Sequence, residues 1–416
     1  MTNALRTSPD ALAAADDIAA ALADPKTAWP AAPPAGGRAW PQSLAGGAAG
    51  IALLHIERAR CGRADWRTVH TWLSVAASGE LTAAANAGLF FGAPALAFIL
   101  YTAAGTSGRY RRALAELDEA VITITRTRLA AAHARIDRGD RPALREFDLI
   151  RGLAGLGAYH LERHPGHPIT RDVLSYLVRL TEPLPRPDGL PPWWTDTAPN
   201  GEPSPDHPRG HGNLGLAHGI SAVLALLSLA LLRNQLVPGA DEAIARICSW
   251  TDQWRRQSGT GPWWPGFITF DQACERHVSP ALRPRPSWCY GVGGTARAQQ
   301  LAGMALGDSA RRRLAEAAML AALDDPAQLD LLGSHIGLCH GTAGLLQSAW
   351  RMAADALTPE LAERLPRLTS RLLDQMAGPI SDPELLDGAA GAALVLHTVG
   401  IGGCPPPFWD RFLLLA

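Results

Sequence analysis

Two short strings, Trp288-Cys289-Tyr290-Gly291 and Cys339-His340-Gly341, concentrate the reactive residue types of this chain. Each sets a cysteine two residues before a glycine, and the second adds a histidine between them. Two thiolates and an imidazole suit zinc better than magnesium or calcium. Closed structural zinc sites usually have four protein ligands, often in CxxC pairs, and no CxxC occurs here. Cys289, Cys339 and His340 therefore read as a three-ligand set that leaves a fourth position for water or substrate. Zn²⁺ with two thiolates and a neutral imidazole is neutral, and an incoming thiolate would bring it to minus one. Sulfur in that electron-rich setting stays deprotonated near neutral pH and remains nucleophilic. The competing reading is two buried cysteines and a core histidine, since free cysteine is commonly buried.

His218 precedes Gly219 as His340 precedes Gly341 and Tyr290 precedes Gly291. That shared offset aims a second imidazole at the same place, where it can deliver or remove a proton. Asp148 lies four residues before Gly152, and Arg285 four before Cys289. A carboxylate there would orient an imidazole and a guanidinium would stabilise an enolate, while an ordinary salt bridge or helix cap is the alternative for both. His335 precedes the glycine and belongs to the loop. The HxxxH pairs His160/His164 and His207/His211 have no cysteine nearby and read as incidental.

The offsets have meaning because the glycine recurs. Units begin at Gly47, Gly92, Gly152, Gly219, Gly291, Gly341 and Gly388, 45 to 72 residues apart, mostly with a second glycine three residues on. Gly92/Ala95 and Gly219/Ala222 are looser copies. Each opens a small, apolar run, as in GIALLHIE and GAALVLHTV. Spacing of this kind is what a repeat of helix pairs gives, with residues at one offset sharing one end of equivalent helices. Strand signals are almost absent. The reading is an all-α chain, an α/α toroid (barrel) of seven glycine-led inner helices and seven outer ones. Charged amphipathic segments such as 110–137 and 309–323 supply outer helices. The units span the chain from near residue 40 to near 400, which favours one domain over residues 1–416, because a single unit cannot bury its apolar face alone. An N-terminal helix over 8–24 is capped by Ser8-Pro9-Asp10, and a Pro/Gly/Ala stretch from Trp29 to Gly37 breaks structure after it. Loops 183–212 and 258–287 carry Trp193-Trp194 and Trp263-Trp264, either as recognition surfaces or as staples onto the scaffold.

With 38 basic and 39 acidic residues the chain has no electrostatic case for nucleic acid or an anionic membrane. The uncharged stretch 81–108 is interrupted by Asn86, Gly88, Gly92 and Pro94, so it reads as a loop and a buried helix, not a membrane span. No secretory signal is visible, and six cysteines scattered over 416 residues do not suggest a disulfide framework. A cytoplasmic protein is expected.

Taken together, WCYG at 288–291, CHG at 339–341, NLGLAHG at 213–219, DLIRG at 148–152 and Arg285 resemble the LanC family of lanthipeptide cyclases, across roughly residues 40–400. With no kinase-like or dehydratase region visible, the resemblance is to the free-standing form. It implies zinc held by Cys289, Cys339 and His340, and an acid–base and stabilising group of His218, Asp148, Arg285 and Tyr290. The implied reaction is Michael-type addition of a precursor-peptide cysteine to dehydroalanine or dehydrobutyrine, giving a lanthionine or methyllanthionine ring. The implied partners are a dehydrated precursor peptide of leader and core, with a dehydratase and exporter complex. Resemblance to eukaryotic LanC-like proteins suggests instead the addition of glutathione. A non-catalytic peptide-binding scaffold with structural zinc is the reading from a different class. A prenyltransferase-type toroid ranks low, because the site motifs carry only Arg151 and Arg285.

Overall fold

The computed structural model describes residues 5–29, 40–105, 107–186, 188–378, 380, 382–403 and 408–416. Cys404 and most of the Trp29–Gly37 stretch lie outside these residues. The described chain is mostly helical. Two short antiparallel strand pairs join His211–Asn213 to Phe267–Thr269 and Arg256–Gln257 to Pro262–Trp263.

A helix follows each repeated glycine: Ala48–Arg60, Ala93–Ala104, Leu153–Arg163, Ile220–Leu232, Val292–Ala305, Thr342–Ala354 and Ala389–Ile401. The glycine itself is the N-cap in every case. These helices are buried along most of their length, and residues 220–230 of one are buried without interruption. The helices between them are one-sided. Pro168–Leu180 buries Ile169, Val173, Leu174, Tyr176 and Leu177 while Arg171 and Asp172 face solvent. Burying each of those apolar side chains is worth about 1.5–3 kcal/mol, which far exceeds helix propensity. At the N-terminus the helix runs Pro9–Ala21 and stops short of residue 24, because Asp24 caps a separate turn opened by Pro25.

The chain divides into two compact units, one of residues 1–121 and 332–411, the other of 122–331 and 412–416. In the first, the last glycine-led helix packs on both the first and the sixth, and the first also packs on the second. In the second, Ile220–Leu232 packs on both Leu153–Arg163 and Val292–Ala305. Backbone hydrogen bonds repeat at these junctions. The N–H three residues before one glycine donates to the carbonyl two residues before the next: Leu149 to Ala217 (3.2 Å), Leu216 to Cys289 (2.9 Å), Leu385 to Ala45 (3.2 Å) and Leu44 to Phe90 (3.0 Å). Neighbouring turns are thereby held in register. Among the described residues no helix is long and apolar enough to cross a membrane.

Candidate active site

The turn ahead of each glycine sets where the reactive side chains stand. In three of them the carbonyl four residues before the glycine receives two backbone N–H groups, from the glycine and from the residue three further on. These are Asp148 (from Gly152 and Gly155, 3.1 and 3.3 Å), Ser287 (from Gly291 and Gly294, 3.1 and 3.4 Å) and Gly337 (from Gly341 and Gly344, 3.1 and 3.2 Å). The fold-back is tight. A Cβ at Gly291 would lie 2.0 Å from the Arg285 carbonyl, and one at Gly294 2.1 Å from that of Trp288. The turn before Gly291 is further anchored by Trp288, which is fully buried and donates its indole N–H to the Leu413 carbonyl at 3.0 Å. Cys289 and Cys339 consequently sit just ahead of helix N-termini, where the helix dipole favours a thiolate.

Cys289 stands in the turn ahead of Gly291, and Cys339 and His340 stand side by side in the turn ahead of Gly341. Two thiolates and an imidazole are a donor set whose chemistry fits zinc. The Asp387 carboxylate is 3.4 Å from His340 Nδ1, and the Ser287 hydroxyl is 3.5 Å from the Cys289 sulfur. His335 stacks edge-on at 5.2 Å from the His340 ring.

His218 Nδ1 is 2.7 Å from one Asp148 carboxylate oxygen, and the other oxygen accepts the Arg151 backbone N–H at 2.7 Å. Asp148 is 1% exposed, whereas the His218 side chain keeps 30% of its surface open. A buried carboxylate thus holds the inner nitrogen of a ring whose remainder reaches solvent. The ring stacks on Tyr290, centroids 6.2 Å apart and planes 28° apart. The Tyr290 hydroxyl accepts from the Asn213 amide at 3.4 Å. Arg285 is exposed and offers its backbone carbonyl to the turn; its guanidinium has no hydrogen bond or ion pair with Asp148 or His218.

The remaining polar residues settle elsewhere. His160 is buried against the Thr125 hydroxyl at 2.9 Å. His211 has its Nδ1 2.7 Å from the Thr197 carbonyl, and burial draws its pKa down to about 4. Trp193, Trp194, Trp263 and Trp264 are all nearly fully buried, as staples would be.

Arg128, Asn213, Ser287 and Asp387 escape a reading of the sequence. Arg128 lies close enough to Asp148 for the carboxylate to oppose the fall in its pKa caused by burial. It sits mid-helix with no motif to mark it. Asn213 and Ser287 lie inside the motif segments, and the only signal for Asp387 is its shared offset with His340.

Comparison with known proteins shows the family to which the chain belongs. The nisin biosynthesis protein NisC of Lactococcus lactis subsp. lactis is 24% identical over 261 residues, which cover 60% of this chain and 60% of that protein. The solved structure of a nisin cyclase superposes with a TM-score of 0.74 at 20% identity, covering 90% of this chain and 92% of that one. The family pattern of lanthionine synthetase C-like proteins matches residues 38–400, and the chain belongs to that family.

Proposed function

We infer that this protein is a zinc-dependent lanthipeptide cyclase that joins a cysteine thiol of a dehydrated precursor peptide to a dehydroalanine or dehydrobutyrine. The observation that carries the reading is that both motifs, Trp288-Cys289-Tyr290-Gly291 and Cys339-His340-Gly341, set a cysteine just ahead of a glycine-capped helix in a chain of this family. Cys289, Cys339 and His340 would hold the zinc, and three protein ligands are the pattern of a catalytic site, not a closed structural one. When bound, zinc lowers the pKa of a substrate thiol so that sulfur is nucleophilic at neutral pH.

The protein's other residues then act on the peptide. As the S–C bond forms at the β-carbon, the double-bond electrons move to the α-carbon and its amide oxygen. Asp148 holds His218 by its Nδ1, so that Nε2 delivers a proton to the α-carbon. The Tyr290 hydroxyl and the Arg285 guanidinium stabilise the enolate oxygen, Arg285 turning in from its exposed position. The seven glycine-led helices with their seven outer partners form one α/α toroid, a reading supported by the packing of the last glycine-led helix on the first. The peptide arrives from a dehydratase and leaves through an exporter on the cytoplasmic side.

Replacing His218 by alanine separates this reading from a zinc-stabilised scaffold. The cyclase reading expects full zinc content with ring formation lost. Undiminished ring formation would contradict the role of His218, and ring-independent capture of added glutathione would change the substrate class.

A further inference from the structure

The pairing of Asp148 with His218 is one instance of a rule that runs through both units. The residue four before one glycine faces the residue one before the next. Asp148 meets His218 in this way, and Gly215 meets Tyr290, where an added Cβ would lie 2.8 Å from the ring. Gly337 meets Asp387, where a Cβ would lie 2.5 Å from its Cα. The same rule joins the last unit to the first: Glu384 meets Gly46, and a Cβ on Gly46 would lie 2.8 Å from a Glu384 carboxylate oxygen. Glu384 is thus the structural counterpart of Asp148, and Gly46 stands where His218 stands. The carboxylate is present and the place of the imidazole is bare.

The segment bearing Glu384 is firmly placed. Leu385 and Leu386 donate to the Ala45 carbonyl at 3.2 and 3.0 Å, and Leu386 accepts from the Cys339 N–H at 2.9 Å. Asp387, three residues on, reaches His340. Glu384 is partly exposed, and the influences on its carboxylate are burial and the like charges of Asp382 and Asp387, with no hydrogen bond among them. Its own backbone N–H is taken by Asp382. The turn that carries Gly46 presents Ser43 and no charged group. Burial with like charge raises the Glu384 pKa to about 7, which suits a base working near neutral pH.

We propose that Glu384 is a second acid–base residue of the reaction, acting on the peptide directly at the place left bare by Gly46 and accepting the proton of the attacking cysteine. This rests on the cyclase reading above. The S–H bond breaks and its proton passes to a Glu384 carboxylate oxygen. The sulfur pair forms the S–C bond, protonated His218 delivers one proton to the α-carbon, Glu384 gives the thiol's proton to solvent, and His218 takes one back from solvent. Asp148 works through an imidazole, and Glu384 works without one.

Stopped-flow absorbance with the cobalt-loaded full chain tests this before any ring closes. The probe is a cysteine peptide lacking a dehydro residue, and the signal is the thiolate-to-cobalt band. In Glu384→Gln the band should form at least tenfold more slowly than in the wild type at pH 7. The two rates should converge above about pH 9, where the thiol ionises unaided. Gly46→Ala, whose methyl displaces the far end of a flexible side chain, should show the same pattern. Equal rates at all pH values overturn the proposal, as does slowing that persists above pH 9, which marks a merely structural effect. Absence of the band in the wild type defeats the metal reading itself, an outcome distinct from a wild-type band that Glu384→Gln leaves unchanged.

Discussion

Replacing Asp148 by asparagine is the sharpest perturbation of the proton-handling pair. The side chain is nearly isosteric, and the Arg151 N–H bond at 2.7 Å remains available to the amide oxygen. That leaves the amide NH₂ facing His218 Nδ1, where a carboxylate now stands at 2.7 Å. The imidazole is pushed into the opposite tautomer, and the charge that steadied its protonated form is gone. Hydrogen bonds to charged groups contribute about 1.5–3 kcal/mol, and Asp148 is almost wholly desolvated, so the upper part of that range applies. At 1.4 kcal/mol per decade, ring closure should slow by roughly 40- to 140-fold. The assay follows loss of alkylatable thiols in a dehydrated, cysteine-containing peptide, with zinc content measured on the same samples. Because the two residues act as a unit, Asp148→Asn should add little to His218→Ala. A rate within twofold of wild type with zinc retained, or two fully additive effects, would refute the coupling.

Three further outcomes follow from particular contacts. Cys339→Ala should lose most of its zinc by elemental analysis while keeping the wild-type helical circular dichroism; full metal occupancy would remove Cys339 as a ligand. Gly294→Ala places a methyl 2.1 Å from the Trp288 carbonyl and should cost about 2–4 kcal/mol in denaturant unfolding, whereas a loss under 0.5 kcal/mol would show that the turn relaxes freely. His55 is buried with its Nε2 2.9 Å from the Leu22 carbonyl, and burial lowers its pKa to about 4. The unfolded chain takes up that proton near pH 6.5, so stability falls as pH drops from about 6.5 to 4, by on the order of 3 kcal/mol in all. His55→Gln should flatten that slope in melting temperature, and parallel pH profiles would exclude His55 as its source.

The sequence makes the glycine rhythm legible because a glycine is required wherever a Cβ at the start of the helix would lie 2–3 Å from the backbone of the preceding turn. The offsets of Cys289, Cys339, His340 and His218 follow from that rhythm alone. The pairing between neighbouring units does not. Nothing in the sequence says that the residue four before one glycine faces the residue one before the next, since that depends on backbone bonds such as Leu216 to Cys289. Asp148 was visible as a carboxylate at a helix approach, with capping equally open, and only the 2.7 Å contact gives it to His218. Arg128 was out of reach for the same reason, because its helix carries no repeat signature and its relation to Asp148 is tertiary. The tryptophan pairs show the converse. Their positions in Pro/Gly-rich loops left recognition open beside anchoring, the favoured reading, and their burial agrees with anchoring.

The most direct measurement for the whole account is mass spectrometry of a dehydrated, cysteine-containing peptide after incubation with the zinc-loaded protein and thiol alkylation. Addition of the thiol leaves peptide mass unchanged, so the account predicts fewer alkylated sites at constant mass, one for each ring closed. A peptide whose thiols all remain alkylatable, with zinc verified on the protein, would contradict it.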